Sequence, residues 1–361
     1  LWPRLMALAG PVIGPAFAFE GYAFFIEAIF LGLHLYGWKR LSPRAHWLCG
    51  LVVAGSGMIS GVLVVAANAW MQHPRGFGDV VDGVPRWTDP IAVFSFDPWI
   101  VLAIHSTLSC YVAVGFCVAG IHAVTLLRAR PAMDRRLELS GLKIALSMGI
   151  VAALLQLASG HETAQATARN QPVKLAAMEA LYESRDHAPA AILGIPDDEH
   201  ERVVGAIEIP DLLSILAFNR ADARVEGLRE VPRADRPNVA LCHFAFDVMV
   251  GAGSTLALVA IVTIARIVRD HRAKRSFDPP RWLLAMFALV APLGFVAIEA
   301  GWIVTEAGRQ PWAVQGVMRT RDAVTPVTDV AITFWAFSAL YFTLAVLLAV
   351  MLRRLEPKVA T

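Results

Sequence analysis

The sequence predicts an all-α protein, a polytopic bundle of transmembrane helices. Of its 361 residues, 57% are hydrophobic and only 17% are charged, which excludes a disordered chain and an ordinary water-soluble globule. The 32 basic and 30 acidic residues leave a formal charge of +2, too balanced for a surface that coats nucleic acid. The four cysteines show no CxxC or CxxCH spacing, so neither a zinc site nor covalent haem attachment is predicted. The composition therefore predicts a membrane protein.

Seven windows of the sequence are long and apolar enough to cross a bilayer, which takes about 20 residues. They lie near residues 15–38, 45–71, 98–127, 139–160, 241–267, 282–306 and 329–352. The chain therefore divides into spans one to four (1–160), a long polar stretch that we name the outer segment (161–240), and spans five to seven (241–361). We expect neither an internal repeat nor a broken helix, the two features that would favour a transporter.

Lysine and arginine are concentrated in the loops that follow spans one, three, five and seven. Because positive residues near span ends are retained in the cytoplasm, these loops, at 39–44, 128–136, 266–281 and 353–358, are predicted to be cytoplasmic. The outer segment then lies on the opposite face.

Two side chains with metal-ligating atoms share one predicted depth. His105 and Met249 both lie roughly 11 Å below the outer edge of the bilayer at 1.5 Å per residue, and Glu299 lies roughly 10 Å below it. An imidazole and a thioether on different helices can be the two axial ligands of a low-spin haem. Taken singly, a membrane histidine is at least as often hydrogen-bonded to a neighbouring helix, and a methionine is more often packing.

Carboxyl groups inside spans are expensive to bury and are by default candidates for function. Glu20 and Glu27 are seven residues apart, so they project from nearly the same helix face and suggest a proton relay or an open metal site. Lys174 and Glu179 lie five residues apart in the outer segment, and from the residues alone they favour a solvated pair on an amphipathic loop helix.

Several stretches together resemble the large, haem-bearing subunit of cytochrome bd quinol oxidases. They cover nearly the whole chain in the family's order, and the GRQPW and QPxKLAAxE runs are the most specific of them. The stretches are FAFEGYAFFIEAIFLGLHLYGW (17–38), VVAANAWMQHP (64–74), AIHSTLSCYV (103–112), NQPVKLAAMEALYES (170–184), FAFDVMVGAG (244–253) and IEAGWIVTEAGRQPW (298–312).

The resemblance implies a respiratory oxidase that oxidises quinol at the outer face and reduces O2 to water, building a proton-motive force without pumping. It implies these roles: His105 and Met249 as axial ligands of a low-spin haem b, Glu299 as the ligand of a high-spin haem b, Glu20 and Glu27 on the proton route, Lys174 and Glu179 as the quinol-binding pair of the outer segment (the family's Q-loop), and Arg309 as support for the haem region. The partners it implies are quinol, O2, a second membrane subunit and a small accessory subunit, in a prokaryotic cytoplasmic (inner) membrane.

The sequence departs from the family's pattern in three places. Members of the family normally have nine spans, and the two that would come first, with the histidine that binds haem d or a substituting haem, are not in this sequence. Many relatives have one more residue between the two glutamates of the first stretch, and some have arginine where Asp247 stands. These departures leave two other functions open, a haem-b electron relay without an oxygen site and a haem-free proton or cation transporter.

Overall fold

The computed structural model describes residues 2–95, 97–128, 134–325, 327 and 330–354. Within these ranges seven helices are long and apolar enough to cross a membrane, so the predicted all-α class and the seven spans are confirmed. Part of the predicted cytoplasmic loop 128–136, the loop 355–358 and the start of the seventh span at 329 lie outside the described residues. The spans are α1 (Pro3–Tyr36), α2 (Pro43–Gln72), α3 (Asp97–Arg128), α4 (Arg135–Asn170), α7 (Val239–Arg272), α8 with α9 (Arg281–Val290 and Leu293–Ala307) and α11 (Val330–Arg354).

Local sequence signals set several of the helix starts. The side chains of Ser42, Asp134 and Asn238 accept hydrogen bonds from backbone N–H groups in the first turns of α2, α4 and α7. The predicted ends of two helices are wrong by ten residues or more: α1 begins at Pro3 rather than 15, and α4 continues to Asn170 rather than ending at 160. Hydropathy marks the part of a helix that lies in lipid, whereas the helical hydrogen bonds of α4 continue through polar residues beyond it.

The sixth span is broken, contrary to the prediction. α8 and α9 are separated at Ala291–Pro292, where the proline has no N–H for the helical ladder. The break packs tightly on α3: a Cβ on Gly120 would lie 2.4 Å from Ala291 Cβ, and one on Gly294 would lie 2.4 Å from Ala113 Cα.

The helices α3 and α4 also cross closely. A Cβ on Gly115 would lie 2.6 Å from Gly149 Cα, so the two backbones approach more closely than any larger residue would permit. Phe116, Leu142 and Phe287 are fully buried beside this crossing and form the centre of the core. Both α3 and α7 pack against α4 and α9, so the helices that carry His105 and Met249 share two neighbours.

The outer segment forms a small cap of short elements. It contains α5 (Pro172–Met178), α6 (Leu212–Phe218) and two antiparallel strand pairs, β3 (Ala190–Ile192) with β6 (Ile207–Ile209) and β4 (Ile195–Asp197) with β5 (Arg202–Val204). The remaining short elements lie in other loops: β1 (Val80–Val81) with β2 (Val84–Pro85), β7 (Trp312–Val314) with β8 (Met318–Arg319), and α10 (Thr320–Ala323).

Candidate functional site

The outer segment buries a lysine and a glutamate that the residues alone favour as a solvated pair and that the family resemblance assigns to the quinol site. Lys174 lies on α5 and Glu179 follows it, and each is only 7% exposed. α5 packs on α7, which carries Met249, so both side chains lie between the cap and the membrane bundle. A buried cation and a buried carboxyl are rare unless they are paired or functional.

Burial shifts the proton affinities of these two groups in opposite directions. Desolvation, followed by the positive charge of Arg309, lowers the pKa of Lys174 to about 7. Desolvation, followed by the negative charge of Asp247, raises the pKa of Glu179 to about 8. Both groups can therefore exchange a proton near neutral pH, which is the range in which acid–base catalysis operates.

Lys174 begins a chain of hydrogen bonds that crosses to the end of α9. Its Nζ donates to Gln72 Oε1 at 2.7 Å, and Gln72 Nε2 donates to Asn68 Oδ1 at 2.7 Å. Asn68 Nδ2 then donates to Glu306 Oε1, and Arg309 Nη2 donates to Glu306 Oε2, both at 2.6 Å. The predicted quinol lysine is thus connected through α2 to the GRQPW region.

Glu306 belongs to this hydrogen-bond chain but is not among the site residues predicted from the sequence. Glu299 and Glu306 are seven residues apart on α9, so they project from nearly the same face, and only Glu299 was selected. Among the described residues Glu299 is exposed and has no hydrogen-bond partner, whereas Glu306 is held by Asn68 and Arg309. The sequence signal for Glu306 is the second glutamate, seven residues after Glu299, in the stretch 298–312.

The predicted proton-route carboxyls lie on one side of α1. Glu20 and Glu27 are half-buried, and within the described part of the chain neither has a hydrogen-bond or ion-pair partner. A Cβ on Gly57 would lie 3.4 Å from Glu27 Oε2, so Glu27 faces α2. The structure therefore leaves both carboxyls accessible rather than locked in a structural bond.

The surroundings of His105 determine which of its ring nitrogens is available. Ser159 Oγ donates to Gln156 O at 3.1 Å and lies 3.1 Å from His105 Nδ1, so Nδ1 can carry the proton and donate to Oγ. In that tautomer Nε2 is the ring nitrogen with the lone pair, and it faces the amide nitrogen of Gln156 at 3.2 Å. The same amide nitrogen lies 3.2 Å from Nδ1. In metal-ligating histidines, the ring nitrogen that does not bind the metal is typically held by a hydrogen bond, as Nδ1 is here by Ser159.

The donor atoms are of the types that bind haem groups. A half-buried imidazole and a half-buried thioether are the ligand types of a low-spin haem, and the Met249 sulfur lies against Gly301, where a Cβ would be 3.2 Å from it. Arg309 is buried, and its Nε and Nη1 have no acceptor among the described residues. Buried N–H donors of a guanidinium match the acid side chains that haem carries.

This bundle, with a buried proton-exchanging pair under an outer cap and haem-type ligands in its helices, has the features of a quinol-oxidising membrane subunit. Residues 1–358 match the family model described as cytochrome bd terminal oxidase subunit I, and the chain belongs to this family. It is therefore a multi-pass subunit of the bacterial inner membrane and part of a respiratory quinol oxidase, an oxidoreductase with haem cofactors, quinol and O2 as substrates and a membrane partner subunit.

Individual proteins support the same conclusion. The chain is 32% identical over 361 residues to the cytochrome bd ubiquinol oxidase subunit 1 of Bacillus subtilis, covering 96% of this chain and 75% of the relative. It is 29% identical over 401 residues to the cytochrome bd-II ubiquinol oxidase subunit 1 of Escherichia coli, covering 92% and 76%. The solved structure of the bd oxidase from Geobacillus thermodenitrificans superposes with a TM-score of 0.85 at 34% identity, over 98% of this chain and 80% of that one.

Proposed function

We propose that Lys174 and Glu179 are the quinol-oxidising pair of this oxidase subunit. Lys174 would hold one quinol oxygen by an N–H donor, and Glu179 would accept the proton that the quinol loses. The observation that carries the proposal is that both side chains are buried and have pKa values moved from opposite sides to about 7 and about 8. A general base is most effective when its pKa lies near the working pH.

The ligand assignments follow from the donor atoms. His105 and Met249 would hold a low-spin haem b, with Ser159 holding Nδ1 so that Nε2 is the ligand nitrogen, and with the iron taking the place of the Gln156 amide at Nε2. When bound, the haems supply the one-electron chemistry that carries electrons from quinol to O2. The buried guanidinium of Arg309 would neutralise negative charge beside them.

A carboxyl of α9 would hold the high-spin haem b. Glu299 is our proposed ligand, since it lies free on the helix surface. Glu306 is the second candidate, because it lies two turns further along the same face and is oriented by Asn68 and Arg309.

Glu20 and Glu27 would lie on the route by which protons reach the oxygen-reducing haem from the cytoplasm. Two carboxyls on one helix face, neither with a hydrogen-bond or ion-pair partner among the residues that the structure describes, support this role. Quinol oxidation at the outer segment (161–240) releases protons outside, while oxygen reduction consumes protons from inside. Because protons are released on one side of the membrane and consumed from the other, the reaction creates a proton-motive force without a pump. In the chain, the quinol-binding segment lies between spans 1–160 and spans 241–361.

The second membrane subunit, and a small accessory subunit, would cover helix faces that this chain leaves open. The apolar window of α11 has no buried residue in this chain, and α1 exposes Phe24, Phe25 and Ile29. Such contiguous apolar surface belongs against lipid or against another membrane subunit.

The experiment compares Glu179→Gln and Lys174→Met in the assembled oxidase. We expect Glu179→Gln to slow haem reduction by quinol by about 100-fold, the typical contribution of a general base, and Lys174→Met mainly to raise KM. The reduced-minus-oxidised haem spectrum should stay unchanged in both. Wild-type quinol kinetics in Glu179→Gln would refute the proposal.

A further inference from the structure

Strand β3 of the outer segment contacts two carboxyl groups through amides that are two residues apart. The Ala191 amide faces the carboxyl of Glu179 and favours its ionised form, and the Leu193 N–H donates to Asp247 Oδ2 at 3.0 Å. Leu193 directly follows β3, and since successive amides of an extended strand point to opposite edges, its N–H leaves the strand on the same side as that of Ala191. The other edge of β3 pairs with β6. One strand edge therefore connects the carboxyl of the quinol pair to α7.

The backbone at this contact is held in an unusual conformation. Leu193 has a φ of 60°, the left-handed region that a bulky L-residue rarely adopts, and its side chain is 68% exposed, so packing does not hold it there. The same residue donates its N–H to Asp247. Strain of this kind persists where the surroundings fix the backbone, and it is frequent at functional sites.

We propose that Asp247 is a positioning residue of the quinol site, anchoring β3 on α7 so that the Ala191 amide is aimed at Glu179. The inference rests on the proposed role of Glu179 as the proton acceptor. It also assigns a use to the aspartate that stands where some relatives have arginine. An arginine has no acceptor atom for the Leu193 N–H, so chains with arginine must hold this strand differently.

Asp247 acts on Glu179 by charge as well as by position. Its negative charge is one of the causes, after burial, of the raised pKa of Glu179, whereas the Ala191 hydrogen bond opposes the shift. His243 is fully buried on the same helix, with Nδ1 donating to Met178 O at 2.8 Å and Nε2 3.6 Å from Asp247 Oδ2. The titratable or charged groups on the elements around Glu179 include Asp247, His243 and Cys242 of α7, Lys174 of α5, Tyr182 of the following turn, Glu208 of β6 opposite Ala191, and Glu306 and Arg309 at the end of α9.

The two actions can be separated by two substitutions. Asp247→Asn keeps an oxygen that accepts from Leu193 but removes the charge, whereas Asp247→Ala removes both. In the assembled oxidase we expect Asp247→Ala to raise the quinol KM about tenfold, the equivalent of one charge-assisted hydrogen bond, and Asp247→Asn to keep it near the wild-type value. In both variants the rising limb of kcat/KM against pH should move to lower pH, because Glu179 loses a negative neighbour. Asp211→Asn, at a half-exposed aspartate of the same segment, should change neither.

The outcomes separate this inference from the proposed function. A wild-type KM in Asp247→Ala, or equal KM values in the alanine and asparagine variants, would overturn the anchoring role. If Asp247→Ala loses the haem spectrum, the test rests on Asp247→Asn. An unshifted rising limb of kcat/KM against pH in Asp247→Asn would then overturn the inference. If Glu179→Gln retains the wild-type rising limb, both the proposed function of Glu179 and the inference about Asp247 fail. If Glu179→Gln loses this limb and the Asp247 variants keep it at its wild-type position, only the inference about Asp247 fails.

Discussion

The pH dependence of quinol oxidation follows directly from the burial of Glu179. The pKa of this carboxyl is raised from 4.5 to about 8. As a proton acceptor Glu179 must be ionised, so the rate of haem reduction by quinol should rise with pH until the carboxyl is fully ionised. We expect Glu179→Gln to lose this dependence, since an amide does not titrate.

The magnitude is set by the fraction of Glu179 that is ionised. With a pKa of about 8, roughly 1% is carboxylate at pH 6 and about half at pH 8, which is an increase of about 50-fold. A base with its ordinary pKa would change by only about 3% over the same interval. Lys174 also titrates in this range, with a pKa of about 7, but a neutral amine keeps N–H donors for the quinol oxygen. Its titration is therefore not expected to cancel the rise.

The assay is stopped-flow reduction of the haems by a soluble quinol under anaerobic conditions, from pH 6 to pH 8. The quinol's own reducing power also increases with pH, and Glu179→Gln measured in parallel records that contribution. The ratio of the wild-type rate to the Glu179→Gln rate should then increase by about 50-fold across the range. A ratio that stays constant would mean that Glu179 does not titrate in this interval or is not the proton acceptor.

Three further predictions concern the membrane helices. Met249→Leu should abolish the low-spin haem absorbance, because leucine has no sulfur for the iron, whereas Met286→Leu, in the core beside α3, should retain it in the same difference spectrum. Gly115→Ala should destabilise the protein by about 1–3 kcal/mol in thermal unfolding, since its Cβ would lie 2.6 Å from Gly149 Cα, while Gly55→Ala, with open space around it, should not. Glu27→Gln should slow oxygen consumption and leave anaerobic haem reduction by quinol unchanged, as measured with an oxygen electrode and by stopped flow.

Each of these has a result that contradicts it. An intact low-spin signal in Met249→Leu would show that another residue is the ligand. Equal melting temperatures for the Gly115 and Gly55 variants would mean that the α3–α4 crossing adjusts without loss of stability. Wild-type oxygen consumption in Glu27→Gln would remove this carboxyl from the proton route.

The number of spans could be read from the sequence because a helix in lipid must satisfy its own backbone hydrogen bonds within one apolar stretch. All seven predicted spans are helical in the structure. Hydropathy did not predict that α4 extends to Asn170 or that the sixth span breaks at Ala291–Pro292. Hydropathy measures how readily side chains enter lipid, whereas both of these features depend on where the backbone hydrogen bonds of a helix continue or stop.

Residue types and spacing determined which side chains to consider: a lysine and a glutamate in one run, a histidine and a methionine at one depth, and glutamates inside spans. The tertiary structure decided their surroundings. It buries Lys174 against Gln72, which is 102 residues away, connects Asn68 to Glu306 across 238 residues, and brings Asp247 to the backbone of Leu193. These contacts depend on how helices pack and on how the outer segment folds over them, and neither is encoded in the local periodicity of a single chain. The proton affinities of Lys174 and Glu179 depend on the same packing, because burial is their largest cause.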